Sequence, residues 1–265
     1  MKLGIIGMGV VGNAVKCGLL SLGHEIYTHD IKLTTSIETV KGTDIVFVCV
    51  PSPSTDSGAC DTGIIESVIT ELDELSYTGI VAIRSTVVPG FTDRMSMLYS
   101  KLTICVVPEF LRERYAIDDF INQHTLLAVG TTDINVYNTI VEAHGHYPKQ
   151  SIKLTPTEAE LLKYFNNVYA ALRISFANVM YEVATKFQCD YTTIKDAYIM
   201  TGKATDIYLD ANPQLRGYAG PCLPKDVNAM SMILKQLNLN YDLIDAIHTD
   251  NEKFNKTVFP GMRHE

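Results

Sequence analysis

The chain carries little positive charge for its size: 22 Lys and Arg stand against 30 Asp and Glu, a formal charge of −8 over 265 residues. A surface built to neutralise a phosphate backbone carries the opposite balance, so nucleic acid is not expected as a partner. No apolar run approaches the roughly 18 residues that would span a bilayer, so no membrane span is expected either. The first seven residues are apolar but break into glycines at once, without the long apolar stretch and cleavage site of a signal peptide. The six cysteines contain no C-x-x-C pair and no dense framework. Cys49 and Cys105 fall inside apolar runs, where a reduced, buried thiol is expected. Internal repeats and low-complexity segments are also missing. What remains is an ordinary globular composition, 46% hydrophobic and 20% charged, expected in the cytoplasm and long enough for one large domain or two smaller ones.

The first half alternates strand-like and helix-like patterns. Short apolar runs over 3–6, 25–29, 44–50, 79–84, 103–107 and 125–129 read as strands, and 13–22 and 62–75 have helical periodicity. That rhythm implies βαβ units and a doubly wound, parallel sheet of Rossmann type. The character changes near residue 150. Thr155-Pro156-Thr157-Glu158 is a capping box with proline at the first helical position. The helix it opens runs to about residue 186 and is apolar over most of its circumference. The expected architecture is therefore α/β, with a dinucleotide-binding domain over 1–150 and an all-helical domain over 151–265 built on a long central helix. A helix so widely apolar needs cover on several sides, and a homodimer through 156–186 supplies it.

Gly7-x-Gly9-x-x-Gly12 follows a strand and opens a helix, the context in which this spacing binds a dinucleotide. Gly7 allows the tight turn, Gly9 lets the backbone approach a pyrophosphate, and Gly12 lets helix and strand pack closely. Val10 and Val11 lie between the last two glycines, at the helix N-terminus that faces the anion. Asp30 ends the second strand, 18 residues past Gly12, where a carboxylate accepts from the ribose diol and repels a 2′-phosphate. The expected cofactor is NAD rather than NADP. No metal site is expected.

Two features of the second half bear on chemistry. Lys163 and Asn167 are four apart on the long helix, hence on one face, where an ammonium and an amide can stabilise negative charge on a substrate oxygen. The other reading is a snorkelling lysine beside a neutral amide. Gly217-Tyr218-Ala219-Gly220-Pro221-Cys222 is a small-residue loop that delivers a thiol just before Pro224 and an amphipathic helix. A thiolate is favoured there by the helix dipole and by Lys225, and Asp226 in the same turn can handle protons. The plainer reading is a cysteine in a loop.

Cys222-Leu223-Pro224-Lys225-Asp226 resembles the nucleophile signature of the UDP-glucose 6-dehydrogenase family, the nucleotide-sugar 6-dehydrogenases. Three more segments are similar to the family's in the same order: Ser85-Thr86-Val87-Val88-Pro89-Gly90, Pro108-Glu109-Phe110-Leu111-Arg112-Glu113, and Glu160 through Asn167 continuing into Arg173-Ile174-Ser175. The resemblance covers essentially the whole chain. It implies two successive hydride transfers to NAD, with Cys222 forming a thiohemiacetal and then a thioester. It further implies that Lys163 and Asn167 hold the oxyanion, that Asp226 and Thr86 position a water and move protons, and that Glu109 and Glu113 support hydrolysis and orient Lys163. Ser52 falls where the family has a threonine near the cofactor, and Thr86 and Lys225 join the cofactor-contacting set. The active site would lie at the carboxyl ends of the sheet strands, between the two domains.

The chain also departs from the family. Family members continue into a third, α/β domain that grips the nucleotide, and this sequence stops at Glu265. The family's Arg-Ile-Gly, whose arginine reaches substrate across a dimer, is here Asp206-Ile207-Tyr208; Arg216 is a candidate substitute without a spacing argument. A compact nucleotide-sugar 6-dehydrogenase, by default acting on UDP-glucose, is the leading reading. A single-step dehydrogenase of the β-hydroxyacid type and a truncated, non-catalytic NAD-binding scaffold are the alternatives.

Overall fold

Residues that alternate too little to face water on one side form the centre of a sheet. The structure, a computed structural model, describes residues 1–257. β1 (Lys2–Ile6), β3 (Ile45–Val48), β4 (Ile80–Ile83) and β5 (Thr103–Val106) are almost wholly buried, as expected of strands covered on both faces. With β2 (Glu25–His29), β6 (Leu126–Gly130) and β7 (Gln150–Leu154) they make a seven-stranded sheet in the order β2-β1-β3-β4-β5-β6-β7. β1 pairs with both β2 and β3, so the strand order reverses there, and the crevice outside the carboxyl ends of β1 and β3 is the switch point where such sheets bind ligands.

The sheet differs from the expected one in two ways. β6 meets β5 antiparallel, through Val106 and Gly130, and β7 runs parallel to β6. An apolar run specifies a strand but carries no direction, which is why the parallel expectation extended one strand too far. β7 gave no apolar run at all, because it is mostly exposed.

Contacts divide the described chain into two compact units: 1–53 with 60–163, and 54–59 with 164 onward. In the first, α2 (Gly63–Glu74) and α3 (Phe91–Leu98) cover one sheet face through Ile65, Ile69, Leu72 and Phe91. α1 (Val10–Ser21), α4 (Ala116–Ile121) and α5 (Ile134–His144) cover the other through Val15, Leu19, Phe120 and Ile140. The long helix α6 (Pro156–Lys186) begins as the sequence indicates: Thr155 N donates to Glu158 at 2.8 Å, and Glu158 N donates back to the Thr155 hydroxyl.

The second unit holds α6 from Tyr164, α7 (Tyr191–Met200), α8 (Leu223–Gln236) and α9 (Leu243–Glu252). One small core packs α6, α8 and α9 around Ala171, Val227 and Ile247, and another packs α6 and α7 around Ala177, Ala184 and Tyr191. The final residues of the expected helical domain, 258–265, lie outside the described residues. Among the described residues no helix is long and apolar enough to cross a membrane.

Candidate functional site

The three glycines of the β1–α1 turn have three different physical reasons. Gly7 sits at φ +92°, and a Cβ there would lie 2.7 Å from the Cys49 carbonyl, where β3 leaves the sheet. A Cβ on Gly12 would lie 1.9 Å from the Gly7 oxygen, so helix and strand approach only because it is absent. Nothing of the protein lies within 4 Å of a Cβ on Gly9. Its openness serves no packing need of the chain and leaves room for an incoming group. Gly9 also caps α1 without a side chain, and the first turn, with Val10 and Val11, contains no acid. Its amides remain available to an anion.

Asp30 completes this end. Its carboxylate accepts from Lys32 N at 2.8 Å and Met8 N at 2.7 Å, and these two bonds hold the group below the usual carboxylate range. It therefore stays anionic beside the turn, fit for a ribose diol and unfit for a 2′-phosphate. The residues present fit NAD.

Groups with acid–base character gather where β3, β4 and β5 end. Ser52 follows β3 and is buried. Beyond β4, the Ser85 hydroxyl donates to Val50 O at 2.6 Å, and Thr86 follows, half-buried, its carbonyl accepting from the Cys60 thiol. Beyond β5, Lys163 Nζ donates to Glu109 O at 2.6 Å and to Glu109 Oε1 at 3.0 Å. Burial pushes the Glu109 carboxyl up, but the Lys163 ammonium, its hydrogen bond and the Leu111 amide outweigh this and hold it below the ordinary range, with Arg84 adding to the effect. Glu109 thus holds the Lys163 ammonium through both its backbone and its side chain. Glu113 lines a cavity of about 530 Å³ with Val10 and Asn13 of α1.

Sequence reasoning missed Arg84. It is 3% exposed, reaches His144 Nε2 at 3.4 Å and lies over the Phe120 ring. His144 Nδ1 faces the Ile140 carbonyl at 2.8 Å, and burial holds its pKa down to about 3, so its Nε2 is the acceptor. The arginine's position at the end of an apolar run is the one signal that could have found it.

In the second unit, α8 starts at Leu223, one residue before the expected Pro224, and Cys222 is its N-cap, exposed to solvent. Asp226, in the first turn, is completely buried. One of its oxygens accepts from Asn167 Nδ2 at 2.5 Å and the other pairs with Lys225 Nζ at 2.6 Å. The cysteine loop is tied down behind this cluster. Asn251 meets both backbone groups of Tyr218, accepting at 2.9 Å and donating at 3.1 Å.

Arg216, the candidate substitute for the missing arginine, is engaged within its own unit. Its Nε donates to Asn178 at 2.7 Å, its Nη2 pairs with Glu182, and its guanidinium lies over Tyr181 and Phe254. These contacts anchor the loop to α6. Asp206 is also engaged within the unit: Lys195 bridges it, at 2.7 Å, to Asp210, at 2.6 Å, and those carboxylates hold the ammonium well above its usual range. Among the described residues no group of three or more His, Cys, Asp or Glu side chains is arranged to hold a metal.

Comparison with known proteins agrees with this geometry. The UDP-glucose/GDP-mannose dehydrogenase family matches twice, with its NAD binding domain over residues 27–146 and its central domain over residues 157–253. UDP-glucose 6-dehydrogenase AglM of Haloferax volcanii is 28% identical over 87% of this chain, which spans 64% of that relative's length. Among solved structures, a UDP-glucose dehydrogenase from Pyrobaculum islandicum has the same fold, with a TM-score of 0.87 at 24% identity over 95% of this chain and 68% of that one. The 3-hydroxyisobutyrate dehydrogenase of Mycobacterium tuberculosis shares the fold at 14% identity and a TM-score of 0.74, with 96% of this chain and 93% of that one covered. With both family domains matched in order on a dinucleotide-binding sheet and its helical successor, the chain belongs to the UDP-glucose/GDP-mannose dehydrogenase family.

Proposed function

We propose that the chain oxidises the C6 alcohol of a nucleotide sugar to a carboxylate, by default UDP-glucose to UDP-glucuronate, through a covalent step on Cys222. The Asp226 cluster carries this reading. A helix start that needed only a cap would not bury a carboxylate against an amide and an ammonium, one turn behind an exposed thiol.

The glycine turn, the uncapped start of α1 and Asp30 would hold NAD, which would supply the hydride acceptor for each oxidation, a separate NAD for each of the two. In the first, the C6 hydroxyl oxygen gives its proton to water and the C6 carbon gives up a hydride, leaving an aldehyde whose oxygen accepts from Lys163 and Asn167. The Cys222 thiolate, favoured by the α8 dipole, adds to the carbonyl carbon, and the thiohemiacetal oxygen keeps the same donors. Loss of the second hydride leaves a thioester. Thr86 and Asp226 position a water and carry its proton, and Glu109 and Glu113 support its attack. The C–S bond then breaks, releasing the carboxylate and restoring the thiolate.

The same reading places the chain in a reducing cytoplasm and makes it a homodimer. Leu161, Phe165, Tyr169, Phe176, Val179, Val183 and Phe187 are all exposed. At 3.6 residues per turn the six on α6 fall within an arc of about 80°, with Phe187 just past its end, an apolar stripe that a second copy would cover.

Counting NADH formed per UDP-glucose tests the chemistry. Two per sugar, with turnover lost in Cys222→Ser, is expected. One NADH from a small hydroxy acid, unaffected by Cys222→Ser, would instead establish the single-step reading, which the near-complete coverage of the 3-hydroxyisobutyrate dehydrogenase fold favours. NAD binding with no NADH from any nucleotide sugar would leave a scaffold.

A further inference from the structure

Glu160 lies in the second turn of α6, one turn before Lys163, and is 2% exposed. Its carboxylate spans the start of α3, accepting from Gly90 N at 2.6 Å and from Thr92 N at 2.8 Å. α3 has no cap of its own: its N-cap is Gly90, at φ +87°, with no side chain to offer. Glu160 therefore caps α3 from another helix, and Thr157 reinforces the join by donating to Asp93 at 3.0 Å.

A neutral acceptor would cap α3 at a lower desolvation cost. Burial pushes the Glu160 carboxyl up against the pull of the amides that donate to it, so the charged form is the costly one in this place. The capped segment shows what it gains. Between β4 and α3 the chain runs through Ser85 and Thr86, and its near end is pinned to β3, with Arg84 N donating to Val48 O and the Ser85 hydroxyl to Val50 O. Its far end is pinned by Glu160.

We propose that Glu160 is a positioning residue: it fixes the 85–90 segment, and with it the Thr86 hydroxyl, to the turn of α6 that carries Lys163. Both its oxygens are spent on backbone amides, so it acts through these residues and touches no substrate. This role rests on the two-step reading above, in which Thr86 and Lys163 serve one reaction. Charge-assisted bonds to two amides set the segment's position more tightly than a single neutral bond.

The test compares the full-length wild type with E160Q and E160D. Gln keeps one acceptor and turns a donor toward the second amide; Asp keeps the charge but withdraws it by one methylene. Both are expected to speed amide hydrogen exchange at Gly90 and Thr92 about tenfold or more. Both are also expected to lower kcat on the order of 10- to 100-fold with KM for NAD and sugar within about threefold, as misplaced catalytic groups do. Rates are taken per reactive Cys222 thiol, titrated by alkylation, so that misfolded protein does not count. Unchanged exchange at Gly90 and Thr92 overturns the clamp. Faster exchange with unchanged kcat per thiol makes Glu160 merely structural, and kcat restored in E160D while exchange at Gly90 and Thr92 stays fast assigns the effect to charge rather than position; either overturns the proposal. If the wild type makes no NADH from any nucleotide sugar, the two-step reading falls, while the exchange data still decide the clamp.

Discussion

Asp226 accepts a hydrogen bond from the Asn167 side-chain amide at 2.5 Å, and both side chains are almost completely shielded from solvent. The bond fixes which way the Asn167 amide points, and Lys225 balances the charge from the other side. The Asn167 amide and the helix that begins after Cys222 are thus held by one carboxylate.

Asp226→Asn removes the charge while keeping the shape. Lys225 is left without its counter-ion, and one amide must face another. Loss of at least about 100-fold in kcat is expected, with destabilisation of about 1–3 kcal/mol from the unmade bonds. NADH production and urea unfolding measure the two separately. Full activity in the variant would show that Asn167 orients itself without help.

The glycine turn separates folding from cofactor binding. Gly12→Ala drives a methyl to within 1.9 Å of the Gly7 oxygen and is expected to destabilise the fold severely. Gly9→Ala meets only open space, so its melting temperature should match the wild type while its affinity for NAD falls at least about tenfold. Calorimetric titration and thermal melts decide it. Unaltered NAD affinity in Gly9→Ala would mean that the pyrophosphate lies elsewhere.

Legibility of the fold followed burial. The central strands appear in the sequence because both their faces are covered, and α6 because its capping box and proline mark its start. β7 is hidden because its side chains are mostly exposed, and the reversal at β6 because pairing direction lies in contacts across the sheet. At the site, the spacing of Lys163 and Asn167 already put them on one face. Spacing alone does not pair them with their partners, since Glu109 is 54 positions from Lys163 and Asp226 is 59 from Asn167; the family resemblance supplied Glu109 for Lys163 but gave no link between Asp226 and Asn167. Arg216 shows the converse hazard. Proximity in sequence to Cys222 suggested a role with substrate, while its bonds lead to Asn178 and Glu182, on α6.

The Lys163–Glu109 pair sets a pH dependence whose sign can be worked out. In the wild type Glu109 titrates below its unfolded value, so its contribution to stability is fully present above the ordinary carboxylate pKa of about 4.3 and is lost as pH falls through the lowered folded one. Lys163→Met leaves the burial and removes the main opposing charge, so the folded value should rise above the unfolded one and the trend should reverse. The variant's deficit is then largest at neutral pH, about 3 kcal/mol for a buried pair deprived of one partner, and shrinks toward pH 4. Urea melts of both proteins at pH 4 and pH 7 provide the measurement. A deficit independent of pH would mean that Glu109 feels no charge from Lys163.

The α6 stripe makes the last prediction, on assembly. Phe165, in the third turn of α6, is 70% exposed and Phe187, just past its end, 77%, while the helix also presents Tyr169, Phe176 and two valines on the same side. Together these side chains leave on the order of several hundred Å² of continuous apolar surface, the size at which a patch marks an interaction site rather than chance exposure. A two-fold partner would lay the same stripe against it, burying each ring twice over. Sedimentation equilibrium at micromolar concentration should therefore give twice the chain mass for the wild type. Phe176→Glu sets like charges near the middle of such an interface and should give the single mass, with the first unit's core and its NAD affinity intact. A wild type that sediments as a monomer would leave the stripe unexplained by self-association and withdraw the dimer from the proposed function.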